Sequence, residues 1–264
     1  MGYAMLISLL AGLFTAVGGA AALILPAKES VTAAGMGFAG GVMVTVSLAD
    51  LLPEAVEGYL SAASPYTAAA KALSLFCLGA IAALLLGEVL PESSTLFAKS
   101  DMKKAGRKAA DSSIRAAALR SATVTAAVVM LHNLPEGVLT LFSGYTDRSL
   151  GATVALAIGL HNLPEGVVIA APVLYATGDK MRAFSAALLS GLAEPAGAIL
   201  AFVCLHRAIS PIFMDGLLCI VAGMMCAVSW KELLPLGYRL RPSACALGAV
   251  LGCVIMCAGI YCIS

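Results

Sequence analysis

Eight apolar stretches, near residues 4–26, 33–57, 67–90, 114–144, 150–177, 183–207, 211–237 and 243–263, are each long enough to cross a bilayer. A spanning helix needs about 20 such residues. No polar block large enough to fold by itself interrupts them, so residues 1–264 read as a single transmembrane domain. Composition agrees: the chain is 61% hydrophobic and 12% charged, where soluble domains average roughly 45–50% and 25%. The expected fold is an all-α membrane protein with eight transmembrane helices. The first stretch starts almost at Met1 without a charged leader or clear cleavage site, and is expected to be a retained span.

The cysteines, Cys77, Cys204, Cys219, Cys226, Cys245, Cys253, Cys257 and Cys262, fall mostly inside apolar spans and form no CxxC pair. They are expected to act as small buried hydrophobes.

Basic residues set the orientation, because cytoplasmic loops collect Lys and Arg. With the N-terminus outside, the inner side holds twelve of the sixteen, from Lys28 through the cluster Lys99–Arg120 to Lys180, Arg182, Arg239 and Arg241. The outer side keeps Lys71, Arg148 and Arg207, while Lys231 sits near the inner end of the seventh span. Both termini are therefore expected outside. The Lys-rich stretch 93–113 reads as a solvated cytoplasmic linker, with anionic lipid headgroups as its alternative contact. The expected surroundings are the lipid bilayer and, as an assembly, a homodimer; nothing points to nucleic acid.

Two sequence repeats narrow the fold. GGVMVTVSLADLLP at 40–53 matches AGMMCAVSWKELLP at 222–235 at a constant separation of 182 residues. The pair lies in spans two and seven, which cross in opposite directions, so the expected repeat is inverted, with spans arranged 3+2+3. The second repeat is LHNLPEG, at 131–137 and again at 160–166. On a helix His132 and Glu136 share one face, as do His161 and Glu165. Two imidazoles and two carboxylates make a tetrahedral set suited to a zinc-type divalent ion. Asn133 and Asn162 turn aside and offer carbonyl oxygens to a neighbouring position. Pro135 and Pro164 free the carbonyls of Leu131 and Leu160, which is costly on a lipid-facing helix and compatible with a polar passage. A divalent cation also neutralises Glu136 and Glu165; protons replacing it would couple metal to proton movement. One copy of the word is as readily a self-satisfied His–Glu pair. Two copies on adjacent spans favour metal.

Glu194, mid-span beside Pro195, joins the metal pathway on this reading. Met43 reads as core packing from sequence alone. Asp50 and Glu54 near the outer end of span two either draw cations into a vestibule or are solvated ends. Glu88, Glu92 and Glu232 at inner ends either line an exit or are ordinary ends. His206 reads as interfacial.

These words resemble the ZIP family of divalent-metal transporters, most closely its bacterial branch, and the likeness covers nearly the whole chain: FAGGVMVTVSLADLLPEA, both LHNLPEG words, SGLAEPAGA and ELLPLG. The resemblance implies movement of Zn²⁺, often with Fe²⁺, Mn²⁺, Co²⁺ or Cd²⁺, into the cytoplasm across the cell membrane. It implies a main site of His132, Glu136, His161 and Glu165, joined by Met43. An adjoining position would use Asn133, Asn162 and Glu194, sharing Glu136 and Glu165. The loop between spans three and four lacks the histidines of many relatives. Metal is substrate here, with no catalytic cofactor expected. No GxxxxGK[ST] is present for ATP-driven pumping. An intramembrane zinc-dependent hydrolase, the alternative, needs an open coordination position and a general base. There is no HExxH, and the carboxylates of both words are already candidate ligands.

Overall fold

The computed structural model describes residues 2–26, 28–89, 107–205 and 210–263, with side chains at 107–114, 204–205 and 263 excepted. Among these are eight helices long and apolar enough to cross a membrane. They are α1 Gly2–Ile24, α2 Glu29–Leu60, α3 Pro65–Val89, α4 Arg107–Thr146, α5 Arg148–Thr177, α6 Lys180–Val203, α7 Pro211–Leu240 and α8 Pro242–Ile263. No strand occurs among the described residues. The all-α, eight-span expectation holds. Local chemistry sets several ends: Asp147 caps α5, Asp179 caps α6 and Ser210 caps α7, each side-chain oxygen accepting from first-turn N–H groups. Gly178 closes α5 in the left-handed region, where glycine carries no Cβ penalty.

Two differences from the sequence reading stand out. Helix α4 begins at Arg107, inside the stretch expected to be linker, because Ala, Arg and Lys are good helix formers. Residues 93–106 of that linker, together with Glu92, His206 and Arg207 and the side chain of Cys204, lie outside the description. The cysteines also need correction. Cys219, Cys226 and Cys245 are buried, but Cys77, Cys257 and Cys262 are exposed on α3 and α8. These are the least enclosed helices, with only 22% and 17% of their apolar windows inside the protein. Their outward apolar side chains, including Leu78, Leu85, Val250 and Val254, suit lipid.

The helices fall into two groups. Helices α1, α4, α5 and α6 pack on one another; α2 packs on α8 and α3 on α7. The groups meet chiefly where α2 lies against α5 and α7 against α4.

Glycines let these backbones touch. A Cβ on Gly41 would strike the Ala249 carbonyl of α8, and one on Gly223 the Phe76 carbonyl of α3. Gly252 faces the Phe38 carbonyl in the same way, and Gly79 the Ile220 carbonyl. Small residues at such crossings replace the hydrophobic drive that lipid cannot supply.

Helices α2 and α7 also share an interruption. Ser47–Leu51 and Ser229–Leu233 are π turns. In both, the serine carbonyl accepts from an N–H five residues on, that of Leu52 or Leu234. In both, the serine Oγ donates to a methionine carbonyl one turn back, Met43 at 2.7 Å and Met225 at 2.8 Å. The following Pro53 and Pro235 lack the N–H that would continue an α ladder, which favours the wider turn.

Candidate metal centre

The two LHNLPEG words lie midway along α4 and α5, and both helices run on through Pro135 and Pro164. The helix pair brings the words face to face, and their charged groups bond crosswise. His132 Nε2 donates to Glu165 Oε1 at 2.9 Å, and His161 Nε2 donates to Glu136 Oε1 at 3.1 Å. All four side chains are at least nine-tenths buried. With both imidazoles neutral, as ligation requires, the two carboxylates would carry the two negative charges that complement a divalent cation.

The asparagines turn away from these pairs. Asn133 Nδ2 donates to the Ser190 carbonyl of α6 at 3.1 Å, and Asn162 Nδ2 donates to the Ala11 carbonyl of α1 at 3.2 Å. Asn162 Nδ2 also reaches Glu194 Oε2 at 3.0 Å. Glu194, fully buried on α6, takes a second contact from Thr140 Oγ1 at 3.2 Å. The structure thus gathers His132, Asn133, Glu136, His161, Asn162, Glu165 and Glu194 into one polar region.

Nine buried side-chain polar atoms lack a partner among the described residues, and five belong to the two words: His132 Nδ1, Asn133 Oδ1, Glu136 Oε2, Asn162 Oδ1 and Glu165 Oε2. Buried polar atoms are nearly always bonded, so this concentration marks groups held ready for something else. All five can donate a lone pair to a cation. Among the described residues, no three His, Cys, Asp or Glu side chains already form a metal cage. Ligation through the Nε2 and Oε1 atoms requires the crosswise bonds to open.

Close backbone contact fixes the site on its neighbours. A Cβ on Gly137 would strike the Glu194 carbonyl, and one on Gly166 the Thr15 carbonyl. The last residue of each word is glycine because α6 and α1 pass directly over it.

Met43 is fully buried in a cluster with Val128, Val129, Val168 and Ile169, apolar neighbours of both words along α4 and α5. A slim cleft lined by Leu51, Leu218 and Val221 runs to Glu136 and His161. At one end of α2, Glu54 is exposed and Asp50 half-buried, and Glu54 lies within electrostatic reach of both Asp50 and Asp215 on α7. At the opposite end of the molecule, Glu232 is buried beside Arg120 at 3.7 Å, and Glu88 pairs with Lys231 at 2.6 Å. Arg120 Nη2 also donates to the Gly87 carbonyl at 2.9 Å.

The sequence reading missed Thr140, Ser190, Thr15 and Asp215. Thr140 was findable, standing one helical turn beyond Glu136 on the same face. Ser190 takes part through its carbonyl, which no side-chain pattern reveals. Thr15 had a sequence signal in AGLFTAVGG at 11–19, which aligns with SGLAEPAGA at 190–198 through Gly12-Leu13, Gly191-Leu192, Gly18 and Gly197.

Eight apolar helices around a buried cluster of imidazoles, carboxamides and carboxylates define a multi-pass membrane protein with a polar centre. Residues 87–259 match the ZIP Zinc transporter family. The zinc transporter ZupT of Chlorobium phaeovibrioides (strain DSM 265 / 1930) is 38% identical over 235 residues, covering 88% of this chain and 86% of the relative. ZupT of Stenotrophomonas maltophilia (strain R551-3) is 37% identical over 239 residues, with 89% and 86% coverage. ZupT of Akkermansia muciniphila is 34% identical over 235 residues, with 89% and 87% coverage. The chain belongs to the ZIP zinc transporter family.

Proposed function

We propose that this chain, acting as one domain over 1–264, carries Zn²⁺ and other divalent metals (Fe²⁺, Mn²⁺, Co²⁺, Cd²⁺) through the cytoplasmic membrane into the cell. The carrying observation is the pair of reciprocal His–Glu bonds whose remaining donor atoms are buried and unpartnered. The relatives' zinc transport supports the choice of metal. The protein is a transporter and not an enzyme; the hydrolase alternative has no support in its relatives. Zn²⁺ is substrate, and no catalytic cofactor is needed.

His132, Glu136, His161 and Glu165 form the main position once their mutual bonds open, with Met43 adjoining. Asn133, Asn162 and Glu194 form the neighbouring position. Asp50 and Glu54 attract metal at the outer mouth. Glu232 and Glu88 serve the inner mouth, held by Arg120 and Lys231, with Glu92 close by in sequence. Both termini face out, as the basic-residue count favours. The 3+2+3 inverted repeat is supported by the matched π turns and the matched glycine contacts of α2 with α8 and α7 with α3. Alternating access then moves the group α1, α4, α5 and α6 against α2, α3, α7 and α8, a motion common to inverted-repeat carriers. Two copies assemble as a homodimer.

The test is Zn²⁺ uptake into liposomes by the wild type, Glu136→Ala and His161→Ala. Uptake by the wild type and loss in both folded variants supports the site. Undiminished uptake by both variants refutes it.

A further inference from the structure

The stretches 11–19 of α1 and 190–198 of α6 lie 179 residues apart, and their contacts correspond one for one. The Ala11 carbonyl accepts from Asn162 on α5, and the Ser190 carbonyl accepts from Asn133 on α4. Gly12 and Gly191 face each other, each without room for a Cβ beside the other's carbonyl. The Thr15 carbonyl covers Gly166, as the Glu194 carbonyl covers Gly137. The Leu163 carbonyl meets Gly18, as the Leu134 carbonyl meets Gly197. Exchanging α1 with α6 and α5 with α4 therefore returns these backbone-carbonyl contacts. Under that exchange, the counterpart of Glu194 is Thr15.

Thr15 is fully buried and its Oγ1 has no hydrogen-bond partner. A helical threonine ordinarily donates to the carbonyl four residues back. Thr140 does so to Glu136 at 2.8 Å, and Thr177 to Val173 at 2.7 Å. For Thr15 that acceptor is the Ala11 carbonyl, which is bonded to Asn162 instead. A hydroxyl left bare in an apolar interior is unfavourable unless a polar group or ion visits it. Asn133, the counterpart of the asparagine that donates to Glu194, has an unpartnered Oδ1 as well, as does Asn162 itself.

We propose that Thr15 Oγ1 is a further metal-contacting oxygen of the transport site, supplying from α1 a neutral hydroxyl where Glu194 supplies a carboxylate from α6. The inference rests on the proposed transport role of the two LHNLPEG words. It makes the centre symmetric in shape and unsymmetric in charge. A hydroxyl is a hard, neutral donor, so it favours Mn²⁺ more than the softer Cd²⁺.

The experiment uses the full chain in liposomes, comparing wild type, Thr15→Val and Thr15→Ser for Mn²⁺, Zn²⁺ and Cd²⁺ uptake. Valine keeps the shape and removes the hydroxyl; serine restores it. Expected for Thr15→Val is a KM for Mn²⁺ raised about tenfold and for Cd²⁺ less than about threefold, with Thr15→Ser near wild type. The metal-free melting temperature in detergent stays level or rises in Thr15→Val, while the added stability from Mn²⁺ shrinks. Wild-type uptake of all three metals and an intact Mn²⁺ shift in Thr15→Val would overturn the proposal. Glu136→Ala in the same assay separates the two levels: if it still transports, the transport-site reading fails. If it is inactive while Thr15→Val is unaffected, only the Thr15 inference fails.

Discussion

Alanine at Gly166 probes the seam between α5 and α1. Its methyl group would strike the Thr15 carbonyl, a backbone atom that cannot swing aside. Carbon–oxygen contacts across helix interfaces sit at about 3.3–3.6 Å, so the two backbones must part. Asn162, one turn away on the same face, holds the Ala11 carbonyl at 3.2 Å, near the limit of a real hydrogen bond. Any parting breaks it. Overpacking costs about 1–3 kcal/mol, and the abandoned buried amide about 1–3 kcal/mol more. Alanine returns about 1 kcal/mol through helix preference. The net loss is about 1–5 kcal/mol, which lowers the melting temperature of a chain this size by several degrees or more, at about 2–4 °C per kcal/mol. Gly259→Ala is the control, since a Cβ there meets nothing within 4 Å. The assay is thermal unfolding in detergent with a thiol-reactive dye, reporting buried Cys219 and Cys226 as they become accessible. A Gly166→Ala protein that melts with the Gly259→Ala control would refute the backbone-contact argument.

Glu165→Gln keeps an oxygen for His132 and should fold with little change, yet lose Zn²⁺ uptake at least tenfold, because an anionic donor is gone. Glu165→Ala strands the buried imidazole and should also destabilise by about 1–3 kcal/mol in the same melt. Arg120→Ala removes both the Gly87 bond and the counter-charge of buried Glu232, and should cost about 1–3 kcal/mol. Lys231→Ala breaks an exposed pair and should cost at most about 1 kcal/mol; equal losses in the two variants would contradict the assigned roles.

Helix number and type were legible because an apolar run of spanning length has one solution in hydrocarbon. The ligand words were legible because His and Glu four apart share a face wherever the helix lies. The partners of the asparagines were not, since the carbonyls of Ser190 and Ala11 leave no mark on residue type. Nor did spacing reveal that His132 pairs with Glu165, on the other helix, and not with Glu136, one turn away. Cysteine placement failed for a related reason: apolar residues on α3 and α8 face lipid as readily as protein, so hydropathy does not separate the two.

The π turns in α2 and α7 act on rotational phase. One residue inserted into a helix turns everything beyond it by about 100°. In α2 the part before Ser47 presents Gly37 and Gly41 to α8, while the part after carries Asp50 and Glu54 on a face re-aimed independently of that seam. In α7 the same step separates Gly223, seated on α3, from Glu232 beside Arg120. Each helix thus holds two bearings on one axis, one for packing and one for charge. Deleting a single residue such as Ala49 would rotate the acidic end out of alignment while leaving the glycine seam where it is.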